Sequence, residues 1–239
     1  MMAQIDKNLK DQIINQAVAI GASLAGIVRS EDLKKSSSYD LYEKNPYYAT
    51  YTKTPEWTID DRSILVLALY HEPKKPEMDW WDTRPGGTLG NKALIDIQKR
   101  MKKWLVEELK IQSKNLLYRL EEGGIFLKDA SALAGIGIIG KNNLLITPIY
   151  GPRVRLRAMF LDADLEPDQP LDYHPCSTCS MPCIKACPQH ALSDDHFERD
   201  YCNLQMKIDV ENPHPLTNHP DIMAVHYCRA CELSCTVGR

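Results

Sequence analysis

Cys176-Ser-Thr-Cys179-Ser-Met-Pro-Cys183-Ile-Lys-Ala-Cys187-Pro188 is the stretch on which the reading of this chain turns. Its four cysteines are separated by two, three and three residues, and a proline follows the last. Downstream lies a second stretch, Cys228-Arg-Ala-Cys231-Glu-Leu-Ser-Cys235, with Cys202 alone between the two. These eight are all the cysteines in 239 residues, and the first 175 hold none. The first 175 must therefore fold on hydrophobic burial alone.

The chemistry that fits such spacing is an iron–sulfur cubane, which needs one thiolate per iron. Two or three cysteines on a tight loop reach neighbouring corners, and the fourth must arrive from elsewhere. In two-cluster ferredoxins the cysteine before the proline serves the other cluster. Applied here, one [4Fe-4S] cluster takes Cys176, Cys179, Cys183 and Cys235. The other takes Cys187, Cys202, Cys228 and Cys231, and none is left over. Structural zinc also uses sets of four cysteines, but it usually pairs two C-x2-C knuckles, without a third and fourth cysteine and a proline. Disulfides need an oxidising compartment. One irregularity is the interval from Cys179 to Cys183, three residues with Pro182 inside, where the bacterial run has two.

Charge runs the same way. The chain carries 29 Lys+Arg against 32 Asp+Glu, a net of −3. Residues 176–239 hold 5 of the former and 8 of the latter, so this segment accounts for the whole excess. Nothing global recommends a nucleic-acid binder. No run approaches the ~18 apolar residues of a membrane helix, and the polar start from Met1 to Gln12 is wrong for a secretory signal. A cytoplasmic, reducing location and no membrane partner are expected.

Upstream, Ile5, Leu9, Ile13, Ala17 and Ile20 recur at helical spacing, and Gly21 is placed to end that helix. Ala25–Val28 and Ile64–Tyr70 read as buried strands, the second apolar throughout, as when both sheet faces are covered. Ser36 to Trp57 reads as an excursion over the surface. After the loop from Pro73 to Gly90, Asn91 is placed to cap a helix whose apolar face is Leu94, Ile97, Met101, Trp104 and Leu105. A strand at Leu116–Leu120, a helix at Phe126–Ala134 and strands at Leu144–Thr147 and Val154–Leu161 follow. The expectation is an α/β (α+β) domain over residues 1–170, then a small two-cluster domain over 171–239.

Gly135-Ile-Gly137-Ile-Ile-Gly140 matches the dinucleotide fingerprint letter for letter, but with a helix leading in and a strand leading out, the reverse of what a pyrophosphate needs. The same segment, running on through Lys141-Asn142-Asn-Leu-Leu-Ile-Thr-Pro148 and Tyr150-Gly151, carries a resemblance. With Leu165-Glu-Pro-Asp-Gln-Pro170, the cysteine run, Tyr201-Cys202 and the last three cysteines, it resembles the epoxyqueuosine reductase family. Ala25-Gly-Ile-Val28 and Asp61–Leu67 match more loosely.

The resemblance implies a cobalamin-binding-type domain related to that of reductive dehalogenases, beside a ferredoxin-like domain with two [4Fe-4S] clusters. It implies a reductase in which electrons pass from a ferredoxin- or flavodoxin-type donor through the clusters to cobalt. Gly137, Gly140, Lys141 and Asn142 would line the corrin, glycine allowing close backbone approach. The family's acidic proton donor is an aspartate; gap-free counting back from Gly137 places Glu121 there, and its plainer reading, with Glu122, is an exposed turn before Gly123-Gly124. The chain stops at Arg239 without the C-terminal repeats that engage tRNA in many members. The expected substrate is thus a small molecule or modified nucleoside, with tRNA in doubt. The rival function is electron transfer to a separate corrinoid protein.

Arg153, Arg155 and Arg157 share one face of a strand by the period-two rule. They read either as an anion site or as a solvated face. His214, His219 and His226 read as a Pro-rich surface loop, and Trp80 and Trp81 as hydrophobic anchors.

Overall fold

A computed structural model describes residues 2–44, 62–82, 84–85, 87–194, 196–216 and 219–239, with the side chains of 2–6, 43 and 121 outside that description. Most of the expected surface excursion, from residue 45 to Trp57, also lies outside it. Two compact units are each built from three chain segments: residues 1–69, 94–138 and 156–172 form one, and residues 70–93, 139–155 and 173–239 the other.

The first unit is a mixed α/β layer. Helix α1 (Met2–Ile20) sends Leu9, Ile13, Ala17 and Ile20 into the core. It ends where Gly21 takes φ 128°. There Gly21 N–H donates to Val18 O and Ala22 N–H to Ala17 O, each at 3.0 Å, the paired bonds that close a helix on glycine. Strand β1 (Leu24–Arg29) pairs antiparallel with β2 (Ser63–Tyr70), Leu24 facing Ala68 and Arg29 facing Ser63.

On one face, Ala25 and Ile27 of β1 and Leu65 and Leu67 of β2 meet α1 and helix α4 (Leu89–Leu109). On the other, helices α2 (Ser30–Lys34) and α5 (Leu127–Leu133) lie against β1. Helix α3 (Ser37–Lys44) is held by Asp129 of α5, whose carboxylate accepts from Ser38 Oγ at 2.8 Å and Ser38 N–H at 3.2 Å. Six successive residues of β2 are buried because both faces are covered.

Two expectations need correction. The strand read at Leu116–Leu120 is β4, Ser113–Asn115, antiparallel to Met159–Leu161 of β7 (Val154–Leu161), and the sheet order is β1-β2-β7-β4. Its three residues are polar and only partly covered, so they show no apolar alternation. The cap of α4 is Thr88, not Asn91: the Thr88 hydroxyl accepts the Asn91 N–H at 3.0 Å. Helix α4 begins two residues before Asn91, at Leu89, which is exposed and adds nothing to the apolar stripe.

After the glycine turn, β5 (Ile138–Ile139) and β6 (Leu145–Ile146) form a short hairpin. The element that follows Gly140 is the strand β6, not a helix, so the segment lacks the helix N-terminus of a dinucleotide site. The histidine-rich loop is a sheet: β3 (Trp81–Asp82), β9 (His219–Val225) and β8 (His214–Leu216), in the order β3-β9-β8, all antiparallel. Pro215 sits on the edge strand and Pro220 near the start of β9, where a missing N–H costs least. Trp80, His226 and His214 stack in line, with centroids 4.2 and 4.6 Å apart. Helices α6 (Pro182–Ala186), α7 (Arg199–Glu211) and α8 (Ala230–Ser234) carry cysteines. Among the described residues no helix is long and apolar enough to cross a membrane.

Candidate functional site

Pro182 opens α6 at a position where its missing N–H is harmless, after Met181 turns the chain with φ 53°. Cys183 thus rides on the helix, Cys176 and Cys179 on the turns before it, and Cys187 at its end. Cys202 lies on α7, Cys231 on α8, and Cys235 caps α8. Helices α6 and α8 touch, which interleaves the two cysteine stretches. All eight thiols are unbridged.

Their electrostatics fall into two groups. Burial pushes the Cys183 thiol up, with Cys235 and Cys176 adding to it, and Cys235 is raised by burial with Cys176 and Cys179 adding. Burial drives Cys231 up to about 12, with Cys228, Glu232, Cys202 and Cys187 contributing. Cys202 is raised by burial, then by Cys187 and Cys228; Cys228 by burial, then by Asp209 and Cys187. In each case the perturbing thiols belong to one four: Cys176, Cys179, Cys183 and Cys235, or Cys187, Cys202, Cys228 and Cys231.

Thiols in this condition resist losing their protons until a cation supplies the missing charge. Backbone amides already point at two sulfurs: Ala191 N–H donates to Cys187 Sγ at 3.2 Å and Met181 N–H to Cys179 Sγ at 3.4 Å. Among the described residues no three His, Cys, Asp or Glu side chains are drawn round a single-ion position. In a cubane each thiolate binds its own iron, so its four sulfurs need not converge as closely as the ~3.8 Å that tetrahedral zinc–thiolate geometry requires.

Cys176, Cys179, Cys183 and Cys235 line one small pocket, and Lys141 and Asn142 line it with them. Asn142 is buried; its Oδ1 accepts from Leu144 N–H at 3.2 Å and its Nδ2 reaches Cys231 O at 3.5 Å. Arg153, only 2% exposed, donates from Nη1 to Cys235 O at 3.3 Å and from Nη2 to Val237 O. The solvated-face reading of the arginines fails for Arg153 and Arg157, both buried. Burial lowers the Arg157 pKa, and its guanidinium lies 5.4 Å from the Tyr118 ring.

Gly137 is buried and belongs to the first unit, while Gly140 belongs to the second. A Cβ on Gly140 would come within 2.2 Å of Ile146 Cδ1, so its glycine serves the hairpin that presents Lys141 and Asn142. Glu121 belongs to the turn Leu120–Glu122, but its side chain lies outside the described residues. Glu122 is exposed and pairs with Arg119 at 3.5 Å. Residues that sequence reasoning missed are Asp79 and Glu232, acids held next to Arg155. The alternating arginines were the only signal, and they carried no hint of their partners.

No family model matches the chain. An epoxyqueuosine reductase of Lactococcus garvieae is 24% identical over 98% of this chain and 70% of its own length. One from Listeria monocytogenes is 29% identical over 77% of this chain, which spans about half (52%) of that relative. A tetrachloroethene reductive dehalogenase of Desulfitobacterium hafniense is 39% identical over 86 residues, 35% of this chain and 15% of the dehalogenase.

Among solved structures, epoxyqueuosine reductase from Streptococcus thermophilus matches 97% of this chain and 66% of its own with TM-score 0.64 at 23% identity. An epoxyqueuosine reductase solved with an epoxyqueuosine-modified tRNA stem loop matches the same shares with TM-score 0.68 at 19% identity. A reductive dehalogenase described for B12-dependent dehalogenation matches 93% of this chain and 31% of its own, with TM-score 0.61 at 15% identity. In sequence and in fold, over nearly all of its length, the chain is similar to the epoxyqueuosine reductases.

Proposed function

We propose that the chain is an iron–sulfur oxidoreductase of the epoxyqueuosine reductase type, passing electrons through two [4Fe-4S] clusters to a bound cobalamin that reduces a substrate. The observation that supports this reading is that Cys176, Cys179, Cys183 and Cys235 line one pocket, while the thiols that perturb Cys202, Cys228 and Cys231 are drawn from Cys187, Cys202 and Cys228. Cys176, Cys179, Cys183 and Cys235 hold the first cluster; Cys187, Cys202, Cys228 and Cys231 hold the second. The ligand-bearing segment is a ferredoxin-like domain over residues 171–239, after a cobalamin-binding-type domain over 1–170.

When bound, the clusters supply one-electron steps and the corrin supplies low-valent cobalt. The chain supplies position and protons. Asn142 and Arg153 fix the backbone carbonyls of Cys231 and Cys235. Gly137, Gly140, Lys141 and Asn142 face the corrin in this reading, and Glu121 is the acid that delivers a proton to the reduced substrate. The substrate is a small molecule or a modified nucleoside. The relative solved with a tRNA stem loop keeps an RNA-borne nucleoside in play, against the expectation drawn from the sequence. A ferredoxin- or flavodoxin-type donor and a cytoplasmic setting complete the proposal.

Anaerobic reconstitution with iron, sulfide and cobalamin, followed by metal and corrin counting, is the test. Two clusters' worth of iron and a bound corrin are expected; stoichiometric zinc without sulfide-dependent absorbance would end the reading. The alternative is electron transfer to a separate corrinoid protein. It is favoured by the open face of α7, where Tyr201, Leu204 and Val210 stand exposed beside Cys202. Loaded clusters without corrin binding or turnover would select it.

A further inference from the structure

Arg155 is the hub of a charge box built from three separate segments of the second unit. Its Nη2 lies 2.8 Å from Asp79 Oδ1 and 2.8 Å from Glu232 Oε2. Arg229 closes the ring, with Nη1 2.6 Å from Asp79 Oδ2 and Nη2 on Glu232 Oε1. His71, fully buried, adds its Nδ1 to Asp79 Oδ1 at 2.8 Å. The acids are 9% and 5% exposed, so water screens these contacts little.

Burial opposes ionisation of Asp79. The His71 hydrogen bond and the charges of Arg155 and Arg229 outweigh it and hold the carboxyl below its usual range. Arg155 and Arg229 therefore face an ionised Asp79, and both also reach the Glu232 carboxyl group.

Buried ion pairs are poor sources of stability, since desolvation offsets their attraction, and their better-attested use is to specify one arrangement. Here the arrangement specified is that of thiols. Arg229 follows Cys228 in the chain and Glu232 follows Cys231, so both partners of the box are covalent neighbours of second-group cysteines. Asp79 anchors them to the segment before β3, and Arg155 to the first half of β7.

We propose that Arg155 is a positioning residue for the second cysteine group: it holds Glu232 directly and Arg229 through the acids they share, Asp79 and Glu232, and with them Cys228 and Cys231, and it sets the sign of the local field. This rests on the cluster reading above. Reduction adds an electron to an already anionic centre, so removing the Arg155 charge disfavours the reduced cluster, and removing the Glu232 charge favours it.

The test uses the full reconstituted chain as wild type, Arg155→Gln, Arg155→Lys and Glu232→Gln, with redox titration followed by electron paramagnetic resonance. The signal lost in Cys202→Ala identifies the second cluster. At a fixed potential, Arg155→Gln should raise its oxidised-to-reduced ratio about tenfold, equivalent to ~59 mV for one electron. Glu232→Gln should move that ratio the opposite way, Arg155→Lys should return it near wild type, and the first cluster should stay put. Shifts of the same sign in Arg155→Gln and Glu232→Gln would show a merely structural brace and overturn the proposal. Unmoved potentials in fully loaded protein would overturn it too. If Arg155→Gln cannot retain its second cluster, the Glu232→Gln and Arg155→Lys arms decide by sign and by rescue. A wild type that takes up no iron would sink the functional reading and this inference together.

Discussion

Cys187 and Cys235 are the residues whose thiol surroundings run against their positions in the chain. Cys235 closes the last cysteine stretch, yet its thiol neighbours are Cys176 and Cys179. Cys187 closes the first stretch, yet it acts on Cys202, Cys228 and Cys231. We expect Cys235→Ala to abolish the cluster built on Cys176, Cys179 and Cys183 while sparing the other, as read by Mössbauer spectroscopy of reconstituted protein. Loss of the Cys228–Cys231 cluster instead would show the pairing to be wrong.

Asp79 gives a pH prediction at the same scale. Its folded-state pKa is depressed, so its stabilisation is present above the unfolded carboxylate pKa and disappears as pH falls through the folded value. Asp79→Asn should cost about 3 kcal/mol at neutral pH, the scale of a broken buried pair, and the deficit should shrink below about pH 4. Urea melts at pH 7 and pH 3 check this, and an unchanged deficit at both would contradict it.

Among the elements, β1 and α4 each hinge on one small residue. A Cβ at Gly26 would stand 2.4 Å from the Ala134 carbonyl oxygen, so β1 passes α5 only because Gly26 has no side chain. Gly26→Ala should destabilise by about 1–3 kcal/mol, the usual cost of overpacking. Thr88→Ala, losing the α4 cap, should cost about 1 kcal/mol. Both are measurable in denaturant melts, and a Thr88→Ala chain as stable as wild type would return the helix start to Asn91.

What was legible at this scale followed periodicity. The apolar spacing of α1 and α4, the unbroken apolar run of β2 and the reversed order round Gly135–Gly140 all appear in the structure as read. What was illegible had no such pattern. Strand β4 is three polar residues at a sheet edge, and β8 and the start of β9 carry proline, a poor strand former tolerated on an edge strand or at a strand's start. The partners of Arg155 were invisible because charge pairs between distant segments leave no spacing to detect: 76 residues separate Arg155 from Asp79, and 77 from Glu232.

For the whole molecule, the two units differ in what can hold them. The first has a continuous core from Ile13 through Leu165 with no cysteine in it. In the second, α6 and α8 are five residues each, and α7 buries none of its thirteen. Such short helices are marginal without outside support. Hydrogen exchange on metal-free protein should therefore show α1, α4 and β2 still protected, while α6 and α8 exchange freely until iron and sulfide are restored. Equal protection of all these elements in the metal-free chain would refute this division.

The interleaving of the units also sets an order of events at birth. The first unit has all its segments once Asp172 has been made, whereas in the proposed pairing neither set of thiols is complete before Cys231, and the first waits for Cys235. At the ~5–20 residues per second of translation, several seconds separate those points. As that interval passes, a chain that already has every segment of its first core gains Cys176, Cys179, Cys183, Cys187 and Cys202 before the last three cysteines are made. Those seconds are when stray copper, zinc or oxygen can compete for the thiols, so cells short of iron-delivery capacity should accumulate a chain folded in one unit and mismetallated in the other.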